Sequence, residues 1–196
     1  MQLHLPDGSV RDLPANATGL DLAQDISAGL ARNALAVKVT LPGEKEGEVR
    51  DLSRPLPDGS TVQILTWRDD DGKAAFWHSS AHLMAEAREA LYPGVQLGIG
   101  PAIERGFYYD VDLSAVEGTP TLTPEDFPAI EKKMKELARQ NNAFARQPIG
   151  KADAIAHFEA NGDPYKLELL HDLEAGSITF YTLMDLDAYL ELMALA

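Results

Sequence analysis

The tripeptide Pro-Asp-Gly occurs twice within the first sixty residues, at Pro6-Asp7-Gly8 and Pro57-Asp58-Gly59. Pro presets φ, Asp bonds the local backbone and Gly tolerates positive φ, so each tripeptide fixes a tight reversal of the chain. Both fit hairpin connections. The segments around them are short: LHL from Leu3, SVRDL from Ser9, a helical stretch from about Leu20 to Leu30, then ALAVKVT, EVRDL and TVQILTW. Alternation in Thr61–Trp67 puts Val62, Ile64 and Thr66 on one face and Thr61, Gln63 and Leu65 on the other. Thr18 is the expected N-cap of the helix. The order strand, strand, helix, strand, strand, strand is that of a small β-grasp domain.

The run Arg68-Asp69-Asp70-Asp71-Gly72-Lys73 is charged and carries a helix breaker, so it reads as a linker between domains at 1–67 and 74–196. The second part is larger and more helical, giving an α+β chain overall. Its first helix, from about Ala74 to Leu91, carries Trp77, Ala81, Met84 or Ala85, and Arg88 at helical spacing and stops at Pro93-Gly94. A second helix is expected to start with Thr123 as N-cap and Pro124 at its first position, with Glu125 and Asp126 in the first turn, where the helix dipole favours anions. Shorter helices are expected near Lys151–Phe158 and Tyr165–Leu170, and a strand over Ser177–Tyr181. In the tail, Leu186, Tyr189, Leu190 and Met193 have the spacing of an amphipathic helix.

Composition excludes several classes. With 45% apolar and 24% charged residues the chain can bury one or two cores, and with 0 Cys it has no disulfide, zinc ribbon or cysteine nucleophile. The 17 basic and 31 acidic residues leave a net charge of −14, the opposite of a protein that holds nucleic acid by general phosphate neutralisation. The excess is uneven. Residues 151–196 hold two basic and nine acidic residues, whereas Lys132, Lys133, Lys135, Arg139 and Arg146 form a local basic stretch. No apolar run approaches the roughly 20 residues of a membrane span, and MQLHLPDGSV has neither a basic leader nor an apolar core, so a cytoplasmic protein is expected.

The sharpest chemical feature is His78-Ser79-Ser80-Ala81-His82, which sets two imidazoles four residues apart on one helical face. Such a pair serves water, substrate or metal equally well, or is simply two polar surface residues. A zinc site would need a third ligand from His157, His171 or a carboxylate, and Ser79 stands where HExxH proteases carry their general base. The stretch from Gly98 to Asp110 reads either as turns plus a core strand at Phe107–Val111 or as a pocket lined by Tyr108 or Tyr109. Its glycines are a weak phosphate-loop signal, with no Gly-Lys-Ser/Thr following. Lys166, in Asp163-Pro164-Tyr165-Lys166-Leu167, reads on its own as a solvated lysine.

Taken in order, FWHSSAHLMAEA, LGIGPAIERGFYYDVD, TPEDFPAIEKKMKELA and NGDPYKLELL resemble the N-terminal region of bacterial threonyl-tRNA synthetases over about residues 1–182. The resemblance implies a TGS domain, a β-grasp module, followed by an editing domain similar to that of alanyl-tRNA synthetase. It implies hydrolysis of mischarged seryl-tRNA(Thr), with the tRNA(Thr) acceptor end as partner. Serine differs from threonine by one missing methyl, worth only about 1–3 kcal/mol in a pocket, so discrimination needs a second, hydrolytic site. By resemblance His78, His82 and Lys166 are catalytic, positioning water and the terminal ribose, and Tyr109 shapes the substrate pocket; no metal ligand is implied. The family also carries a Cys, and a His four residues beyond it, shortly after its FYT strand. Here Phe180-Tyr181-Thr182 is followed by LMDLDAYLELMALA, with neither. The family's aminoacylation core, which uses ATP and zinc and forms the dimer, would follow residue 196, so no cofactor and a monomer are expected. Alternatives are a non-catalytic module that binds the acceptor end and a metal-dependent hydrolase built on the histidine pair.

Overall fold

The computed structural model describes residues 1–118, 121–140, 144–173, 178–183 and 192–195, with side chains described for 1–118, 121–140 and 149–173. The chain divides into two compact units, Met1–His78 with Ala102–Gly106, and Ser79–Pro101 with Phe107–Ala196.

In the first unit β1 (Gln2–His4) and β2 (Val10–Asp12) form an antiparallel hairpin around the first Pro-Asp-Gly, where Gly8 takes φ +84°. α1 (Gly19–Ile26) starts at Thr18 as expected, with a capping box: Thr18 Oγ1 accepts from the Asp21 amide and the Asp21 carboxylate accepts from the Thr18 amide. The single helix expected to Leu30 is two. Ser27 is extended (φ −169°, ψ 149°), and its Oγ caps α2 (Ala28–Asn33) through the Leu30 amide. A good N-cap residue inside a helical pattern therefore started a new helix and ended the old one. β3 (Ala34–Thr40), β4 (Glu48–Arg50) and β5 (Thr61–Thr66) complete a five-stranded sheet in the order β2-β1-β5-β3-β4, with β5 parallel to β1.

The second Pro-Asp-Gly is a turn but not a hairpin connection, because β4 and β5 are not neighbours. It lies beside β1: the Gln2 amide donates to Asp58 Oδ1 at 2.6 Å and the Gly59 amide to the Gln2 carbonyl at 2.7 Å, delivering Thr61 to its parallel register with His4. The core is Leu3, Leu22, Val37, Val39, Leu56 and Val62, with Ile64 packed against it. Leu65 is also buried, so β5 is not the one-faced strand that alternation suggests.

α3 (Asp70–Leu91) begins a turn before the expected Ala74, taking up the last residues of the stretch read as a linker. Asp69 folds its carboxylate back onto the Thr66 amide at 2.8 Å, and Asp70 and Asp71 occupy the first turn, where the dipole favours them. Gly72 is required there: a Cβ would collide with the Thr66 backbone.

After α3 come β6 (Gln96–Leu97), β7 (Ala102–Ile103), β8 (Gly106–Phe107) and β9 (Val111–Asp112), which pair as β6-β9 and β7-β8. The continuous core strand expected over Phe107–Val111 is thus interrupted. α4 (Phe127–Gln140) starts later than expected because Asp126 turns back: its carboxylate accepts from the Thr123 amide at 2.7 Å and from Thr123 Oγ1 at 2.9 Å, closing a separate turn over 123–126. α4 buries Ile130 and Leu137 against Ala87, with Met84, Tyr92 and Met134 around them.

β10 (Phe144–Pro148), α5 (Lys151–Asn161), α6 (Pro164–Asp172), β11 (Ile178–Leu183) and β12 (Leu192–Leu195) follow, with the strands in one antiparallel sheet ordered β10-β11-β12. α5 stops at Gly162 in the left-handed region (φ +67°), and α6 starts at once with Asp163 as N-cap and Pro164 at the first position. The expected tail helix is not formed at Met193, which lies in β12; Leu186, Tyr189 and Leu190 lie outside the described residues. Among the described residues no helix is long and apolar enough to cross a membrane.

Candidate functional site

Lys166 is the residue on which the second unit departs most from its sequence appearance. It is only 6% exposed, not solvated. It sits in the first turn of α6, its amide donating to the capping Asp163 carboxylate at 3.0 Å. Its Nζ donates to the carbonyls of Leu97 at 3.0 Å and Gly98 at 2.6 Å, where β6 ends. An ammonium has three N–H donors, so two are spent on holding the side chain and one is left for another acceptor.

The same strand end leads to Tyr109. Leu97 and Tyr109 pack with Ala81 and Ala85 of α3 in one cluster, and the Tyr109 carbonyl accepts from Arg88 at 3.3 Å. Of the two tyrosines that competed for a pocket role, Tyr109 is buried and Tyr108 is exposed. Gly100 explains part of this placement: a Cβ there would stand 2.5 Å from Cε2 of the Tyr109 ring, so only glycine lets the loop lie against it. His82, beside Ala81 and Ala85 on α3, is buried at 6% exposure. His82, Tyr109 and Lys166 thus belong to one unit, linked through Leu97 and the α3 alanines. His78 lies one helical turn before His82 on α3, at the end of the first unit.

Sequence reasoning missed the carboxylates. Glu86 and Glu89 continue the stripe of His78 and His82 at steps of four and three along α3, a spacing that was readable. Burial pushes the Glu89 carboxyl up to about 7, Lys166 pulls it the other way, and Glu86 and Asp163 add to the rise. Burial raises Glu86 against the pull of Lys133, and Glu86 Oε2 is buried without a hydrogen bond. Lys166 is lowered by burial, opposed by Asp163 and Glu89. Tyr109 is raised by burial first and then by Glu89 and Asp163, so its hydroxyl stays protonated. The result is an immobilised ammonium, a carboxyl that titrates near neutrality and a buried imidazole, a set able to orient a polar substrate and exchange a proton at ambient pH.

A cavity of about 340 Å³ is lined by Gly98, Ile99, Asp110, Asp112, Tyr165 and Glu168 among others; His82, Tyr109 and Lys166 do not line it. Among the described residues no group of three or more His, Cys, Asp or Glu is placed to hold a metal ion. His157 instead contacts Asn161 at 2.6 Å, and the His171 carbonyl accepts from Lys151.

The TGS domain family matches residues 1–66, over the five-stranded unit. Over 181 residues, 92% of the chain, the sequence is 55% identical to the threonine–tRNA ligase of Cytophaga hutchinsonii, and it is 50% identical to that of Parabacteroides distasonis over 182 residues. The chain matches the N-terminal region of bacterial threonine–tRNA ligases. It spans about a quarter of the length of these relatives, 26% in both cases. The threonine–tRNA ligase of Phocaeicola vulgatus gives the same picture, 48% identical over 93% of the chain. The match runs through both the β-grasp unit and the helical unit that carries Lys166.

Proposed function

We propose that the second unit is an editing domain, similar in kind to that of alanyl-tRNA synthetase, which hydrolyses the ester of mischarged seryl-tRNA(Thr) bound by its acceptor end. The observation that carries this reading is Lys166: a buried ammonium fixed by two carbonyls, next to a strand end that also seats Tyr109. Burying a cation costs several kcal/mol unless it is well solvated by the protein, so a fold that holds one with a spare donor supports a use for that donor.

In the proposed reaction the remaining Lys166 N–H orients the terminal ribose or the ester carbonyl. The His78 and His82 pair holds the attacking water. Water adds to the carbonyl carbon, the ester C–O bond breaks, and the proton lost by water goes to the terminal ribose oxygen, releasing serine and uncharged tRNA. Tyr109, kept neutral, shapes the substrate pocket. The chain acts as a monomer and draws on neither ATP nor a metal.

The test is deacylation of seryl-tRNA(Thr) against threonyl-tRNA(Thr). Selective loss of the serine ester is expected, with Lys166→Ala and His82→Ala each slower by about 10²-fold. No selective rate above tRNA alone would overturn the reading. A second reading, acceptor-end binding without hydrolysis, is favoured by one observation: LMDLDAYLELMALA stands where the resemblance calls for a Cys and a His. Binding of tRNA without deacylation is its signature.

A further inference from the structure

The second unit distributes its positive charge in a way that burial explains only in part. Arg88 is committed to the Tyr109 carbonyl, Lys151 to the carbonyls of His171 and Leu173, and Lys166 to Leu97 and Gly98. Lys133 is half-buried on the side of α4 that feels Glu86. Among the described side chains of this unit, the cations left in solvent are Lys132, Lys135 and Arg139, all on α4.

Their placement on the helix is ordered. At 3.6 residues per turn, Lys132, Lys135 and Arg139 fall within about 60° of arc and run roughly 10 Å along the axis. That arc lies diametrically opposite Ile130 and Leu137, the two buried residues of α4. Two acids flank it without closing onto it. Lys135 meets Glu131 only at 3.8 Å with both side chains about 70% exposed, and exposed pairs of that kind contribute about 0–1 kcal/mol. Glu136, on the other flank, reaches Lys133 at 3.8 Å rather than the outward cations. In a chain of net charge −14, an outward-facing cluster of three cations is a surface matched to a polyanion.

We infer that the outward face of α4, through Lys132, Lys135 and Arg139, contacts the phosphate backbone of the RNA whose acceptor end enters the second unit. The inference rests on the proposed tRNA-directed function and adds the surface that holds the RNA. Each cation takes a backbone phosphate, so the contact positions the RNA without reading its sequence.

The test is binding of unacylated tRNA(Thr) transcript to the full chain across a KCl series. Replacing all three residues by Ala is expected to flatten the slope of log K against log salt by about two to three, since each phosphate contact contributes about 0.7–0.9, and to weaken binding by at least about tenfold. Arg32→Ala, Lys45→Ala and Arg68→Ala together remove the same charge from exposed positions of the first unit and serve as the control. The control variant is expected to keep the wild-type slope. An unchanged slope in the α4 variant, or equal losses in both variants, overturns the inference while leaving the editing reading intact. Failure of the unmodified chain to bind tRNA at all overturns both. Because the three side chains point into solvent, far-UV dichroism of the variant is expected to match the wild type.

Discussion

Replacing Glu89 by Gln tests the electrostatics of the second unit independently of any substrate. The folded chain holds this carboxyl at about 7 against a reference value of 4.5, chiefly through burial. A carboxyl raised on folding favours the protonated form in the native state, so its full stability is present below 4.5 and is lost progressively as pH rises through 7. Holding the carboxyl at about 7 rather than 4.5 corresponds to about 3 kcal/mol. Lys166 does not obscure the effect. It too is shifted by burial, but downward from 10.5, so it contributes a constant rather than a slope across this window while it stays protonated. Gln keeps the shape of Glu and removes the titration. The assay is amide hydrogen exchange in α6, corrected for intrinsic rates, in wild type and Glu89→Gln between the two pH limits. The difference in opening free energy is expected to grow by about 2–3 kcal/mol in favour of the variant as pH rises, with its midpoint between the two limits. A difference that is constant with pH would refute the buried-carboxyl reasoning, and so would one that grows toward acid.

Three further outcomes are expected. Gly100→Ala forces a methyl into the Tyr109 ring and should destabilise the second unit by about 1–3 kcal/mol, read as faster exchange at the β6 amides, with the seryl-ester deacylation falling alongside. Thr18→Ala removes the capping box of α1 and should cost the first unit about 1 kcal/mol, measured by urea unfolding followed through the fluorescence of Trp67 and Trp77, while Thr18→Ser restores it. Dialysis against EDTA should leave seryl-tRNA(Thr) deacylation unchanged; a loss reversed by added zinc would favour the metal reading of His78 and His82.

The parts of the fold that were legible in the sequence are those set by local chemistry. Thr18 and Asp163-Pro164 act on the few residues after them and Gly162 on the few before it, and each marks the helix boundary that its residue type suggests. Errors arose where a side chain chose between two local partners. Ser27 capped a new helix rather than riding inside an old one, and Asp126 closed a turn with Thr123 rather than decorating the first turn of α4. The second Pro-Asp-Gly made its turn, but strand order is decided by which edge is available for pairing, and β1 was the strand β5 reached.

The candidate site divides along the same line. The spacing of His78 and His82 is a property of one helix and could be read directly, and the carboxylates at 86 and 89 could have been read in the same way. Lys166 could not. Its burial is produced by two carbonyls almost seventy residues away in sequence, and those carbonyls face it because β6 ends at Leu97 after pairing with β9. A lysine that looks solvated among its neighbours is buried by a contact that no local pattern encodes. The same lysine acts against the raised Glu89. An ammonium close by lowers a carboxyl, and this one rises because desolvation exceeds that attraction, with Glu86 and Asp163 adding to the rise. An anionic acceptor on the third donor offsets the charge felt by Glu89, so binding of an anion at Lys166 and protonation of Glu89 are linked with the same sign.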